Sequence, residues 1–397
     1  MTRIMMRRAV RIAGSSLVAL TVFGAYRVTY GCPPNGGVGT SKHESLTVFY
    51  ASSLRGVMRD LTAEFKKAYQ HLEVHGEAGG SREMAYAVAH LKRTADLIFV
   101  ADPLVIQNLL MPEHADWYVA FGGNPLVIAY TERSRYGDEI TKDNWHAILA
   151  RKDVRIGRAN EHLAPLGYRT LMAWQLADRY YHLPPDAKSI SATLQAKCPP
   201  GQVLPSEMEL LQPLQSYDLD YVFEYRSIAR SQHLKYVELP DEVNLGNPSL
   251  ADWYAQAQVT VSGKTRGTTE TLSGSPITYG FAFLKDPAHQ CDWKPEQAGR
   301  KPSLASQCLT HDCDLSNSEW VCILDFVRVL FSGRGREILE RNGFTYTPPI
   351  ASDVTRLPVE LRSIVEHAPS GQPPSILSQA VESGQWQSPW SGVYVEA

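Results

Sequence analysis

Ser52-Ser53, Gly79-Gly80-Ser81, Pro165-Leu166-Gly167 and Tyr225-Arg226-Ser227 occupy equivalent places along the chain. Each follows a run of strand character (Leu46–Ala51, Leu72–Gly76, Val154–Ala159 and Asp220–Glu224 in turn) and precedes a run of helix character. A strand turning straight into a helix leaves the first helical N–H groups without intrahelical partners, at the positive end of the helix dipole. The chemistry open to such ends is anion binding. Several of them facing one cleft would make an anion receptor. Serine at these turns also serves as an ordinary N-cap, so the residues alone leave both readings open.

The elements around these turns alternate. From Leu46 the order is strand, helix, strand, helix, strand, ending in the continuous apolar run Leu97–Val100. Leu54, Val57, Met58, Leu61 and Phe65 recur at helical spacing and predict one apolar helix face. The pattern restarts at Pro125, with strands predicted at Leu126–Tyr130, Val154–Ala159, Asp220–Glu224 and Tyr236–Leu239 and helices at Lys142–Arg151 and Gly167–Tyr181. A further strand, Ile277–Leu284, precedes helical runs at Trp320–Phe331 and Gly335–Asn342. Such alternation calls for parallel sheets flanked by helices. Two α/β units with the chain crossing between them imply a cleft at the crossover.

The 397 residues carry a formal charge of −3, with 44% hydrophobic and 20% charged residues, an ordinary globular balance. No basic block lies beyond the first residues, which argues against a nucleic-acid partner. Arg3, Arg7, Arg8 and Arg11 precede an apolar stretch from Ile12 to about Tyr26, the layout of an export signal over residues 1–31, with an uncleaved anchor as the alternative. Cys32 and Pro33-Pro34-Asn35-Gly36-Gly37 open a tether over 32–44. A cysteine there is a candidate for lipidation, although Thr29-Tyr30-Gly31 matches the usual approach to a lipidated cysteine poorly.

Cys198, Cys291, Cys308 and Cys313 lie in loop-like stretches and are disulfide candidates in an exported chain, with the pairing open. A metal site from Cys291, Cys308, His311 and Cys313 is the weaker reading, because no tight C-x-x-C pair is present. Cys322, inside an apolar helical run, reads as a buried small hydrophobe. No G-x-S-x-G elbow, H-E-x-x-H or P-loop occurs, and Ser52 has no evident base, so the sequence points to a binder rather than an enzyme.

The run MPEHADWYVAFGGNPLVIAYTERSRYGDEI (111–140), together with LTVFYASSL (46–54), EAGGS (77–81), PLGYRTLMAWQLADRYY (165–181), DYVFEYRSIARSQHLKYVELP (220–240) and GSPITYGFAFLKD (274–286), resembles in the same order the extracellular solute-binding proteins of tungstate/molybdate ABC importers. The resemblance covers about residues 45–345. It implies an α/β, type II periplasmic-binding-protein fold: lobe 1 over 45–124 and 275–349, lobe 2 over 125–274, and a C-terminal extension over 350–397. It implies a monomer outside the cytoplasm, in the periplasm or on the outer face of the cytoplasmic membrane. That monomer has no cofactor, binds tungstate or molybdate, and passes it to a permease driven by a cytoplasmic ATPase.

Carried over by residue, the ligand contacts fall on Ser52, Ser53, Gly80 and Ser81 in lobe 1 and on Glu224 and Tyr225 in lobe 2. The family also uses an aspartate just before the proline of the 165–181 passage, where this chain has Ala164. A glutamate facing a dianion must be protonated, turned away towards Arg226 or Arg169, or bonded directly to the metal centre of the oxyanion. The resemblance implies the last for Glu224. Sulfate is the alternative ligand, and a tethered oxyanion sensor the alternative role.

Overall fold

A computed structural model describes residues 45–285 and 317–367, apart from 71, 183, 185–187 and 363. The signal, the tether with Cys32, the segment with Cys291, Cys308 and Cys313, and the chain after 367 lie outside the described residues.

The first sheet starts with β1 (Ser45–Ala51), paired in parallel with β2 (Glu73–Gly79) and β3 (Leu97–Val100). All four residues of β3 are buried, because helices cover the sheet on both faces. Helix α1 (Arg55–Phe65) buries Val57, Met58, Leu61 and Phe65, the face its spacing predicts, and each such side chain contributes roughly 1.5–3 kcal/mol. Helix α2 (Ser81–Ala89) follows β2 directly. β4 (Val119–Gly123) leads through Asn124-Pro125 into the second sheet.

That sheet contains β5 (Leu126–Tyr130), β6 (Ile156–Ala159), β7 (Val203–Leu204), β8 (Tyr221–Tyr225) and β9 (Lys235–Glu238), in the order β7-β6-β8-β5-β9. Its helices include α3 (Trp145–Ala150), α4 (Pro165–Tyr180), α5 (Ile190–Ala196), α6 (Leu211–Gln215) and α7 (Arg226–Ser231). Proline at the first position of α4 suits a helix start, where its missing N–H costs nothing. A hairpin, β10 (Gln258–Ser262) with β11 (Thr269–Ser273), precedes the return through Gly274–Ile277 to β12 (Thr278–Phe283) in the first sheet. Helices Asn317–Phe331 and Gly333–Arg341 then pack on α1, and short strands β13 (Ile350–Ala351) and β14 (Glu366–His367) complete the order β14-β13-β4-β12-β3-β1-β2.

Two expectations need correction. The sheets are mixed rather than parallel: β12 runs antiparallel to β3 and β4, and β5 antiparallel to β8 and β9. The strands that carry the chain across between sheets enter against the direction of their neighbours, which no local pattern records. The sheet also continues past the expected end of lobe 1 at 349, since Ile350 pairs with Ala120 and Ala351 with Val119.

Candidate functional site

The site grows from the ends of β1, β2 and β8, where the two sheet units meet. After β1 the chain tightens into a single turn, Ser52–Leu54, that buries both serines. Ser52 Oγ donates to Glu207 Oε2 at 2.8 Å, across to the second unit. Ser53 Oγ accepts from the Tyr279 hydroxyl at 2.9 Å. At the start of α2, Ser81 is fully buried and its Oγ accepts from Ala101 N at 2.9 Å.

Gly80 sits where a side chain has no room. A Cβ there would stand 2.5 Å from Leu163 O and 3.3 Å from Pro205 O, both backbone atoms of the second unit. The close approach lets Leu163 O accept from Arg82 N at 3.0 Å and from Glu83 N at 3.1 Å. This corrects the picture of free helix ends, because a carbonyl of the opposite unit occupies two amides at the start of α2. At α7, Arg226 N donates to Pro125 O at 3.0 Å and Ser227 N to Asn124 Oδ1 at 3.2 Å, so these amides are also used within the protein. Serine hydroxyls and carboxyls, more than helix ends, furnish the polar groups of this cleft.

From the second unit, β8 delivers Glu224 and Tyr225, both fully buried. Glu224 Oε2 accepts from Tyr225 N at 3.0 Å, while Oε1 finds no hydrogen-bond partner among the described residues. The Tyr225 hydroxyl and Glu207 Oε1 are likewise buried and unpartnered. The Tyr225 and Tyr279 rings meet edge to face, their centroids 5.9 Å apart. The chain of contacts Glu207–Ser52-Ser53–Tyr279–Tyr225-Glu224 thus brings together, at the junction of the units, buried polar residues from distant parts of the sequence. Burial first, and Glu207 second, pushes the Glu224 carboxyl well above the usual carboxylate range. Burial also raises Glu207, against hydrogen bonds from Ser52 and Ser53 that favour its ionised form.

Neither arginine considered for Glu224 reaches it. Arg169 Nη2 is 2.8 Å from Asp102 Oδ2 in a buried ion pair that Tyr168 joins through its hydroxyl at 2.8 Å. Arg226 donates to Thr345 Oγ1 at 3.3 Å. Ala164 is fully buried at the N-cap of α4 and brings a methyl group where the resemblance implies a carboxylate. Glu161, three residues earlier, pairs with Arg158 at 2.5 Å.

Contacts between the units continue around the site. Arg82, 1% exposed, bonds Glu270 of the hairpin at 2.9 Å, Tyr86 Oη at 3.1 Å, His162 O at 3.3 Å and Ser262 O. Asn108 Nδ2 donates to the other Glu270 oxygen at 2.7 Å. At the crossing, Asn124 Nδ2 donates to Ser227 Oγ at 2.7 Å and to Tyr279 Oη at 3.2 Å.

Of the cysteines, Cys198 is a free, buried thiol, which corrects its place among the disulfide candidates. Its Sγ donates to Ile156 O at 3.7 Å, and burial pushes the thiol up to about 12. Among the described residues no cluster of three or more His, Cys, Asp and Glu could hold a metal ion.

The profile of the family described as bacterial extracellular solute-binding protein matches residues 46–294. An uncharacterized solute-binding protein of Petrotoga mobilis is 35% identical over 81% of this chain and 90% of its own length. The chain belongs to this solute-binding family. The molybdate/tungstate-binding protein WtpA of Pyrococcus abyssi is 33% identical to it over 91% of this chain and 99% of its own length. Among solved structures, the periplasmic molybdate-binding protein of Azotobacter vinelandii is similar, with a TM-score of 0.46 and 15% identity over 76% of this chain and 98% of that one. As a member of an extracellular solute-binding family, this protein is a binder and not an enzyme, and the interlobe ring is its candidate ligand site.

Sequence reasoning singles out Ser52, Ser53, Ser81, Glu224 and Tyr225, which the structure brings to this candidate site, but misses Glu207, Asp102, Arg82 and Tyr279. Tyr279 falls inside the matched passage 274–286, a signal that was present. Glu207 lies in Ser206-Glu207-Met208-Glu209-Leu210, which reads like any exposed helix start.

Proposed function

We propose that this protein captures tungstate or molybdate outside the cytoplasm, in the cleft between its two sheet units, and delivers it to an ABC permease for import. The observation that carries this reading is the buried ring of serine hydroxyls and carboxyls, contributed by both units and holding three unpartnered polar atoms. Native interiors rarely leave such atoms unsatisfied without a ligand, water or ion to answer them. Ser52, Ser53 and Ser81 would hold oxide oxygens, with Gly80 allowing close approach, Tyr225 donating its hydroxyl and Glu224 meeting the metal centre. The name of the Pyrococcus abyssi relative supports this ligand class.

No resident cofactor is required. Residues 1–31 would direct export, and Cys32 would tether the mature chain if acylated; mass spectrometry of the membrane fraction would show the lipid. Binding is tested by calorimetry with tungstate, molybdate and sulfate in competition. Tight binding of the first two and weak binding of sulfate supports the reading; equal affinity for all three, or no heat with the first two, overturns it.

A further inference from the structure

The hairpin β10–β11 belongs to neither large sheet: among the described strands, its two pair with each other and with no third. A lone two-stranded hairpin is marginally stable, so its neighbours decide where it lies. At its base it is fixed to its own unit. Gln175 of α4 donates to Gln258 O at 2.8 Å and accepts from Gln258 N at 2.9 Å, and Val259, Val261 and Leu272 are buried. Beyond that base the hairpin crosses to the first unit. Arg82 Nη2, on α2 one residue after Ser81, donates to Glu270 Oε1 at 2.9 Å and to Ser262 O. Asn108 Nδ2 donates to the other Glu270 oxygen at 2.7 Å, and the Tyr86 hydroxyl donates to Ser262 O at 3.0 Å. Lys264 Nζ donates to Met111 O at 2.8 Å and pairs with Glu113.

We infer that Arg82 and Glu270 form a latch, by which the hairpin clasps α2 once the cleft has shut on its ligand and slows that ligand's release. This rests on the reading of the cleft as an oxyanion site. Arg82 is 1% exposed and the Glu270 side chain 22%, so the pair is largely withdrawn from water. An exposed pair such as Lys264–Glu113 contributes little, whereas removing one partner of a withdrawn pair leaves the other's charge uncompensated. The guanidinium fork meets Glu270 and Ser262 O together, which a point charge on a flexible stem would do poorly. Separating the units to let a ligand out breaks all the crossing contacts, while encounter with an open cleft uses none of them. Groups that bond only in the closed form therefore act on the dissociation rate. The pair is neutral as a whole and lies apart from the serines and carboxyls assigned to the anion, so it lengthens the stay of tungstate and sulfate alike.

The experiment compares wild type with Glu270→Gln, Arg82→Gln and the double variant. Stopped-flow tryptophan fluorescence follows tungstate association and release, and thermal melting without ligand reports folding. Glu270→Gln should release tungstate about fivefold faster or more, with the association rate and the ligand-free melting temperature unchanged. The double variant should release no faster than the quicker single one, because both changes break the same pair. Release at the wild-type rate overturns the inference, whatever the melting temperature does, since a merely structural role would move stability alone. If Arg82→Gln fails to fold, Glu270→Gln, altered at a partly exposed carboxylate, decides by itself. Wild type that binds sulfate but not tungstate fails the metal-oxyanion reading, and the same comparison made with sulfate then tests the latch. Wild type that binds neither anion overturns both.

Discussion

Glu224 ties its own ionisation to the fold. An exposed glutamate in the unfolded chain titrates near pH 4.3, whereas burial and Glu207 raise the folded-state value well above that. The folded protein therefore holds a proton that the unfolded chain releases, so the associated stability is full below about pH 4.3 and is lost as pH rises through the folded-state value. Without ligand, the melting temperature should fall as pH climbs from about 5 to 8, and Glu224→Gln should flatten that slope; equal slopes in the two proteins would contradict the assignment. Cys198 offers a second test, since its thiol is buried and pushed up to about 12. Mass-spectrometric mapping should find it unmodified by iodoacetamide in the folded protein near pH 8 and fully modified after unfolding, and labelling in the folded state would count against it. At this scale the sequence marks residues whose type and place are unusual. Ser52-Ser53 and Glu224 stand at strand ends and are legible, whereas Glu207 is defined only by what folds over it.

Elements with a strong local period were legible. Helix α1 buries the residues its spacing names, and β3 is the continuous apolar strand expected. Strand direction was not, because β12 gains its antiparallel neighbours only through the return crossing at Gly274–Ile277, where a Cβ on Gly274 would stand 2.1 Å from Tyr254 O. The hairpin β10–β11 also escaped notice, since half its residues face solvent and its value lies in Glu270 reaching Arg82. The start of α2 carries the sharpest prediction at this scale. Gly80→Ala places a methyl 2.5 Å from Leu163 O, a backbone atom that cannot turn aside. The variant should lose about 1–3 kcal/mol of stability and at least tenfold in tungstate affinity, read by thermal melting and calorimetry. Unchanged values in both would show that the two units do not meet at this point when ligand binds.

On the scale of the whole molecule, two sheet units share a polar interface that Arg82–Glu270, Asp102–Arg169 and Ser52–Glu207 bridge from three sides. The crossing segments, Asn124-Pro125 and Gly274–Ile277, are the only joints the described sheets need for one unit to move against the other, as solute-binding folds do around their ligands. Small-angle scattering should therefore give a smaller radius of gyration with tungstate than without, and identical curves would argue for a rigid pocket. The passages shared with a family were the best guide at this scale, because they place both lobes at once. The most direct test of the central claim is the anomalous scattering of tungsten in a crystal of the complex. The account predicts a single strong peak between Ser52 and Ser81 of one unit and Glu224 of the other; a peak outside the interface, or none at saturating tungstate, would contradict it.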